Sequence, residues 1–297
     1  MTYPWWSMLP FVAMLGGIAV FPLLSRTRHL WEKPVSQLGY ALILGLPVAL
    51  AVWVLDDPWR VGHALYEYAQ FIALLLALFV VSGGLFLKGD IEATPRNNTT
   101  FLAIGGLVAS FVGTTGAAML LIRPLLNTNV ERKHRVHTVL FAIFIVANCG
   151  GLLTPLGDPP LFLGLLRGVP FTWTFGLWPY WLFVNAILLY SYYALDRRIY
   201  ATEAPEDVAF DHTNVEPLGI RGTLNFLWFA VVIAAVAFAP SMDLHAIEAG
   251  HATAWDWVPL RELIMLGVVV ASMLTTPHSV RYGDNEFEWG PIAEVAA

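Results

Sequence analysis

The sequence predicts an all-α polytopic membrane protein, and three observations lead to that class. Hydrophobic residues make up 57% of the chain and charged residues 13%, against about 25% charged in an average soluble domain. The mean hydropathy is +0.64, and several apolar runs exceed the roughly 18 residues that mark a spanning helix. The 12 Trp often stand near the ends of those runs, as an aromatic belt at the lipid–water interface requires. A chain of 297 residues has room for one or two soluble cores, but such cores cannot hide this many long apolar runs.

The same composition excludes several classes. A net charge of -6 offers no basic face for nucleic acid. The single cysteine, Cys149, rules out an internal disulfide and a multi-cysteine metal site, and reads as a small buried apolar residue. The opening Met1-Thr2-Tyr3-Pro4-Trp5-Trp6 lacks the basic region of a signal peptide, so the first apolar run is expected to stay in the mature chain.

Spans are expected at about 5–24, 37–54, 68–87, 138–165, 171–194, 223–240 and 261–276, with an interrupted segment at about 101–126. The one long polar stretch, about 195–222, holds Glu203, Pro205, Glu206, Asp207, Asp211 and Pro217 and reads as a solvated linker. It divides the chain into 1–194, the linker 195–222, and 223–297.

Basic residues orient the spans. Arg26, Arg28 and Lys33 follow the first span, and Lys88 and Arg96 the third. Arg132, Lys133 and Arg135 follow the interrupted segment; Arg197, Arg198 and Arg221 lie in the linker, and Arg281 follows the last complete span. The other side has Arg60, Arg167 and Arg261, accompanied by Asp56, Asp57, Asp243, Glu248 and Asp256. These positions agree on one topology only if 101–126 enters and leaves on the same side. The charge pattern therefore predicts a re-entrant helical hairpin, an N-terminus outside and a cytoplasmic linker.

Within the hairpin, two apolar arms flank Gly113-Thr114-Thr115-Gly116. Glycine gives the backbone freedom a tight reversal needs, and Thr114 or Thr115 is expected to cap the amides opening the second arm. Irregular backbone at membrane depth survives only against protein or a watery cavity, so the tip belongs at a site. The bland alternative is one tilted helix kinked at these residues.

The second interruption starts after the apolar run 139–147 and reads Asn148-Cys149-Gly150-Gly151-Leu152-Leu153-Thr154-Pro155-Leu156-Gly157-Asp158-Pro159-Pro160. Gly150, Gly151 and Pro155 stop one half-helix. Asp158 before Pro159 restarts the next, as an N-cap followed by proline in the first turn. Capping needs no charge, whereas an intramembrane carboxylate costs a few kcal/mol and is usually functional. Freed carbonyls with Asn148, Thr154 and Asp158 offer the oxygen ligands a small hard cation prefers.

Other candidates carry less. Arg123 reads as snorkelling to the interface or meeting an anion. His63 and Glu67 sit at an outer span start, where solvation explains them. The sequons within Asn97-Asn98-Thr99-Thr100 fall on the expected cytoplasmic side and are discounted. No His-Glu-x-x-His motif and no evident Ser/His pair mark an enzyme; an assembly subunit without transport activity is a further alternative.

At Gly113-Thr114-Thr115-Gly116-Ala117 and at Gly150–Pro160 with Leu161-Phe162-Leu163-Gly164, the chain resembles the ion transporter superfamily of NhaD-type sodium:proton antiporters, arsenite pumps and citrate carriers. It is most similar to a bacterial branch described as citrate transport or sodium:proton antiporter proteins. The resemblance implies an inverted-repeat fold, each repeat with a re-entrant hairpin and a broken helix, and a midplane site. It implies cation or substrate binding at Thr114, Thr115, Gly116, Asn148, Gly150, Gly151, Thr154, Gly157 and Asp158. Sodium would lie among Thr114, Thr115, Asn148, Thr154 and Asp158, as transported or coupling ion and in place of any cofactor. It further implies the bacterial inner membrane and a homodimer. Carboxylate carriers of the group usually show Asn soon after the paired prolines and often Ser-Asn-Thr at the tip; here Leu161 and Gly-Thr-Thr-Gly stand. Sodium:proton antiport is therefore the expected activity, and a citrate or other carboxylate carrier coupled to cation or proton the alternative. Only two spans follow the linker, so the second repeat is expected to be incomplete and the chain truncated.

Overall fold

Prolines and their preceding residues set where the helices begin. A computed structural model describes residues 4–204 and 216–296, and Met1–Thr2–Tyr3, Pro205, Glu206, Asp207 and Asp211 of the sequence reading lie outside them. Pro10, Pro34, Pro58, Pro95, Pro159 and Pro179 all stand in a first helical turn, where the missing N–H has no intrahelical acceptor to lose.

The chain divides into two units. The first contains residues up to Ile72, Asp243–Trp257 and the segment from Glu288. It holds α1 (Leu9–Val20), α2 (Arg28–Trp31), α3 (Pro34–Leu55) and the start of α4 (Pro58–Ser82). Gly17 lets α1 approach α3, since a Cβ there would lie 2.6 Å from the Tyr40 ring. The Tyr40 hydroxyl donates to Ala13 at 2.6 Å, and Phe21, Trp31 and Tyr40 meet edge to face. No residue of α3 is buried, so this helix, apolar all round, has hydrocarbon as its natural solvent. Helix α3, α4 and the stretch Val136–Leu153 each have the length and apolarity to cross a membrane. Expected span 68–87 is displaced: α4 starts at Pro58, where Asp57 accepts the Trp59 amide at 3.0 Å.

The second unit takes Ala73–Met242 and Val258–Phe287. Chain order runs from the end of α4 to β1 (Phe86–Asp90), α5 (Pro95–Val112), α6 (Thr114–Thr128), α7 (Val136–Ile145), a 3-10 turn (Cys149–Leu153) and α8 (Pro159–Leu166). A second 3-10 stretch (Phe171–Leu177), α9 (Trp178–Tyr200), β2 (Glu216–Arg221), α10 (Leu224–Phe238), α12 (Leu260–Thr275) and a π turn (Ser279–Asp284) follow; α11 (Leu244–Glu248) and α13 (Gly290–Ala296) belong to the first unit. Phe229, Val232, Ala235 and Val236 of α10 and Met265 and Val268 of α12 are buried where these two helices pack.

Helices α5 and α6 form an antiparallel hairpin. At its open end Asn98 and Asn129 exchange amide hydrogen bonds of 2.7 and 3.0 Å, and halfway along, Gly105 stands against Leu121. The single residue between them, Gly113, has φ 81° and ψ 148°, a conformation that side chains disfavour. One kinked continuous helix is thereby excluded. Asn98, one of the two sequon asparagines, is fully buried in this pairing.

The helical membrane-protein class holds, with one addition and two corrections. The addition is a short ribbon: β1 and β2 pair antiparallel, Phe86 opposite Arg221 and Leu87 opposite Ile220, with a bulge between Lys88 and Asp90. Five- and six-residue strands abutting spans are hidden from helical periodicity, so β2 read as linker. Glu203, expected in solvent, has a side chain only 2% accessible and accepts the amides of Lys133 and His134 at 3.1 Å each. Arg281, expected as an interfacial charge, is buried. It donates to the Val80 carbonyl at 2.6 Å and to the Ser272 hydroxyl at 2.8 Å, satisfying one carbonyl in the last turn of α4 much as a basic residue does at any helix C-terminus.

Candidate functional site

The hairpin tip meets the broken helix. Thr114, the first residue of α6, donates its amide to the Gly157 carbonyl at 3.1 Å. Its hydroxyl lies 3.2 Å from that carbonyl and 3.3 Å from Asp158 Oδ1. Glycine makes this closeness feasible at two positions. A Cβ on Gly151 would sit 2.8 Å from the Thr114 methyl and 2.9 Å from the Asp158 carboxyl, and one on Gly157 would overlap the Gly151 carbonyl.

The capping roles differ from expectation. Neither Thr114 nor Thr115 caps α6, because Gly113 takes the N-cap position and leaves both threonines inside the helix. Asp158 is the N-cap of α8 with extended backbone, yet its side chain caps nothing. The physical reason is next to it: Pro159 and Pro160 carry no N–H, and the amide of Leu161 is held by the Asp158 main-chain carbonyl at 3.1 Å. The carboxylate is thus left half-buried beside Thr114, and among the described residues it forms no ion pair with a basic group.

Behind this contact, arm α5 clamps the break. The Ser110 hydroxyl donates to Gly150 and accepts the Leu153 amide at 3.3 Å. Thr154, 1% exposed, donates to the Ser110 carbonyl and accepts the Leu156 amide at 3.2 Å. From α9, Trp181 donates to Gly150 at 3.0 Å and Asn185 to Cys149 at 3.4 Å. The carbonyls of Gly150 and Gly157 therefore each accept two protein hydrogen bonds. They are not the free oxygens that the sequence pattern suggests.

The structure accordingly brings Thr114, Gly151, Gly157 and Asp158 into contact and sets Gly150 and Thr154 directly behind them. Gly116 packs on Ser82 instead, with a Cβ position 3.1 Å away. Thr115 and Asn148 are exposed, and no hydrogen bond joins either to the group. Cys149 is half-buried. Arg123 meets an anion elsewhere: Glu286 at 2.9 Å, with the Asp284 carbonyl at 3.0 Å.

Three contributors escaped the sequence reading: Ser110, Trp181 and Asn185. Asn185 had a signal, as the one strongly polar residue of the apolar run from Trp181 to Leu189, and intramembrane polar residues mark function or packing. Its buried amide oxygen is left without a partner. At the start of α7, Arg132 and His137 converge on fully buried Asp196, at 2.7 and 2.6 Å, fixing the first half of the broken helix to the end of α9.

Neither the curated proteins nor the solved structures give a match to the chain. The family described as Putative citrate transport matches residues 1–297, and the chain belongs to that family of membrane transporters.

Proposed function

We propose that this transporter carries citrate or a related carboxylate, coupled to a cation or proton, across the bacterial inner membrane. The supporting observation is the pairing of opposite chemistries at one point: the first turn of α6, which no side chain caps although Gly157 holds the Thr114 amide, lies beside the carboxylate of Asp158. Amides of a first turn have no acceptor within their helix and attract anions. A substrate carboxylate there would stand close to Asp158, and two like charges at that range need a cation between them or a proton on one of them. Asp158 and the hydroxyl of Thr114 supply hard oxygen for such an ion, with sodium as the proposed coupling partner. Thr154 is committed to the backbone of the break and serves the frame, not the ion. The family description points to the same cargo.

In this reading the hairpin enters and leaves from the cytoplasmic side, and hairpin and broken helix form one half of a midplane site in an inverted-repeat architecture. The test is uptake of radiolabelled citrate into proteoliposomes under an inward sodium or proton gradient. Gradient-driven accumulation is expected, and Asp158→Asn should lower it at least about tenfold. A flat signal under both gradients overturns the proposal.

The lack of a basic partner for Asp158 among the described residues favours a second reading, sodium:proton antiport, in which proton and sodium compete for that carboxylate. It predicts sodium-driven proton movement without any carboxylate present. Undiminished exchange in Asp158→Asn would sink it.

A further inference from the structure

Away from the hairpin, within the first unit, two imidazoles and a carboxylate converge. His63 lies on the second turn of α4, and His245 and Glu248 lie three residues apart on the short helix α11. One ligand atom from each comes within 4.8 Å of the others. His63 Nε2 is 3.3 Å from Glu248 Oε2, and the rings of His63 and His245 have centroids 4.8 Å apart.

Solvation at an outer span start does not describe this arrangement. His63 Nε2 is buried and makes no hydrogen bond, so its approach to Glu248 is a contact without the geometry of a bond. A simple histidine–carboxylate pair also leaves the second imidazole unexplained. Two imidazoles and one carboxylate are the ligand set of three-ligand zinc centres. With bonds of about 2.0–2.2 Å in tetrahedral geometry, ligand atoms stand roughly 3.3–3.5 Å apart, the separation already present between His63 and Glu248.

The segment carrying two of the ligands is held without any ion. Asp243 accepts the Ala246 amide at 3.0 Å and donates its own amide to Asp256 at 2.9 Å. Asp256 in turn accepts the Thr253 amide and hydroxyl at 2.7 and 2.8 Å; these bonds hold its carboxyl below the usual carboxylate range. Residues three apart on a helix share a face, so His245 and Glu248 are presented together. Little reorganisation is then needed on binding.

We propose that His63, His245 and Glu248 bind one borderline divalent metal ion of the zinc class, which ties the 243–257 segment to the start of α4 and keeps one coordination position open. The proposal is independent of what the transporter carries, and its test needs no transport. The chain, purified in detergent and stripped with a chelator, is titrated with zinc alone, and cobalt(II) is substituted to report coordination number by its visible absorption. One equivalent of zinc, a four-coordinate cobalt spectrum and a zinc-dependent rise in melting temperature are expected. His245→Ala and Glu248→Gln, both on an exposed short helix, should each weaken zinc binding about tenfold or more, while exposed His29→Ala should not. Absence of stoichiometric zinc, or zinc affinity unchanged in both α11 variants, overturns the assignment.

Discussion

Asp158 keeps its carboxylate out of helix capping only because two prolines follow it. Thr114→Ala should therefore weaken gradient-driven uptake less than Asp158→Asn does, by roughly threefold, since it removes one hydroxyl donor that lies 3.2 Å from the Gly157 carbonyl and 3.3 Å from Asp158, a long hydrogen bond worth about 0.5–1.5 kcal/mol. Comparing initial uptake rates of the two variants at equal protein checks the order. Gly157→Ala belongs to a different class, because its Cβ meets the Gly151 carbonyl and must move backbone. Overpacking of that kind costs about 1–3 kcal/mol and should show as a lower melting temperature in detergent. Arg281 is more exacting still. Arg281→Met takes its donor from the Val80 carbonyl, while Ser272 and Thr276 keep the Thr276 amide and the Asn225 side chain as partners, and a buried acceptor left bare costs about 1–3 kcal/mol. Its elution in size-exclusion chromatography should shift toward aggregate.

Among the elements, the hairpin and the broken helix were the most legible in sequence, because glycine and proline punctuate them at Gly113, Gly150, Gly151, Pro155 and Pro159. Their mutual contact was not. Thr114 and Asp158 lie 44 residues apart, and nothing local to either segment says which face turns toward which. The same limit hid the ribbon of β1 and β2 and the grouping of His63 with His245, both products of distant chain segments. It also hid the role of the basic cluster after the hairpin. Charge counting places Arg132 at an interface, whereas its side chain is 4% exposed on Asp196. Asp196→Asn leaves that guanidinium buried and poorly compensated, at about 3–5 kcal/mol, and should lower the melting temperature well below that of a surface control such as Arg198→Ala. The clamp on the hairpin's open end predicts that Asn129→Leu strands Asn98. Proteolysis at the α6–α7 connection should then quicken.

For the whole molecule, the orientation argument comes down to which polar segments share a compartment. In a Cys149→Ser background, Arg198→Cys should react with an impermeant maleimide only from the cytoplasmic side, and His251→Cys only from outside; labelling of both from one side rejects the proposed topology. The two-stranded ribbon has its own consequence for how the molecule comes into being. Residues 86–90 emerge from the ribosome long before their partners at 216–221, and everything between them, hairpin, broken helix and α9, has to be inserted first. Joining ends so distant carries a loop-closure cost that grows only slowly with length. The ribbon is thus a clasp fastened only after the hairpin and the broken helix have been made, and weakening it should lengthen a late step of biogenesis while leaving the chemistry at Asp158 intact.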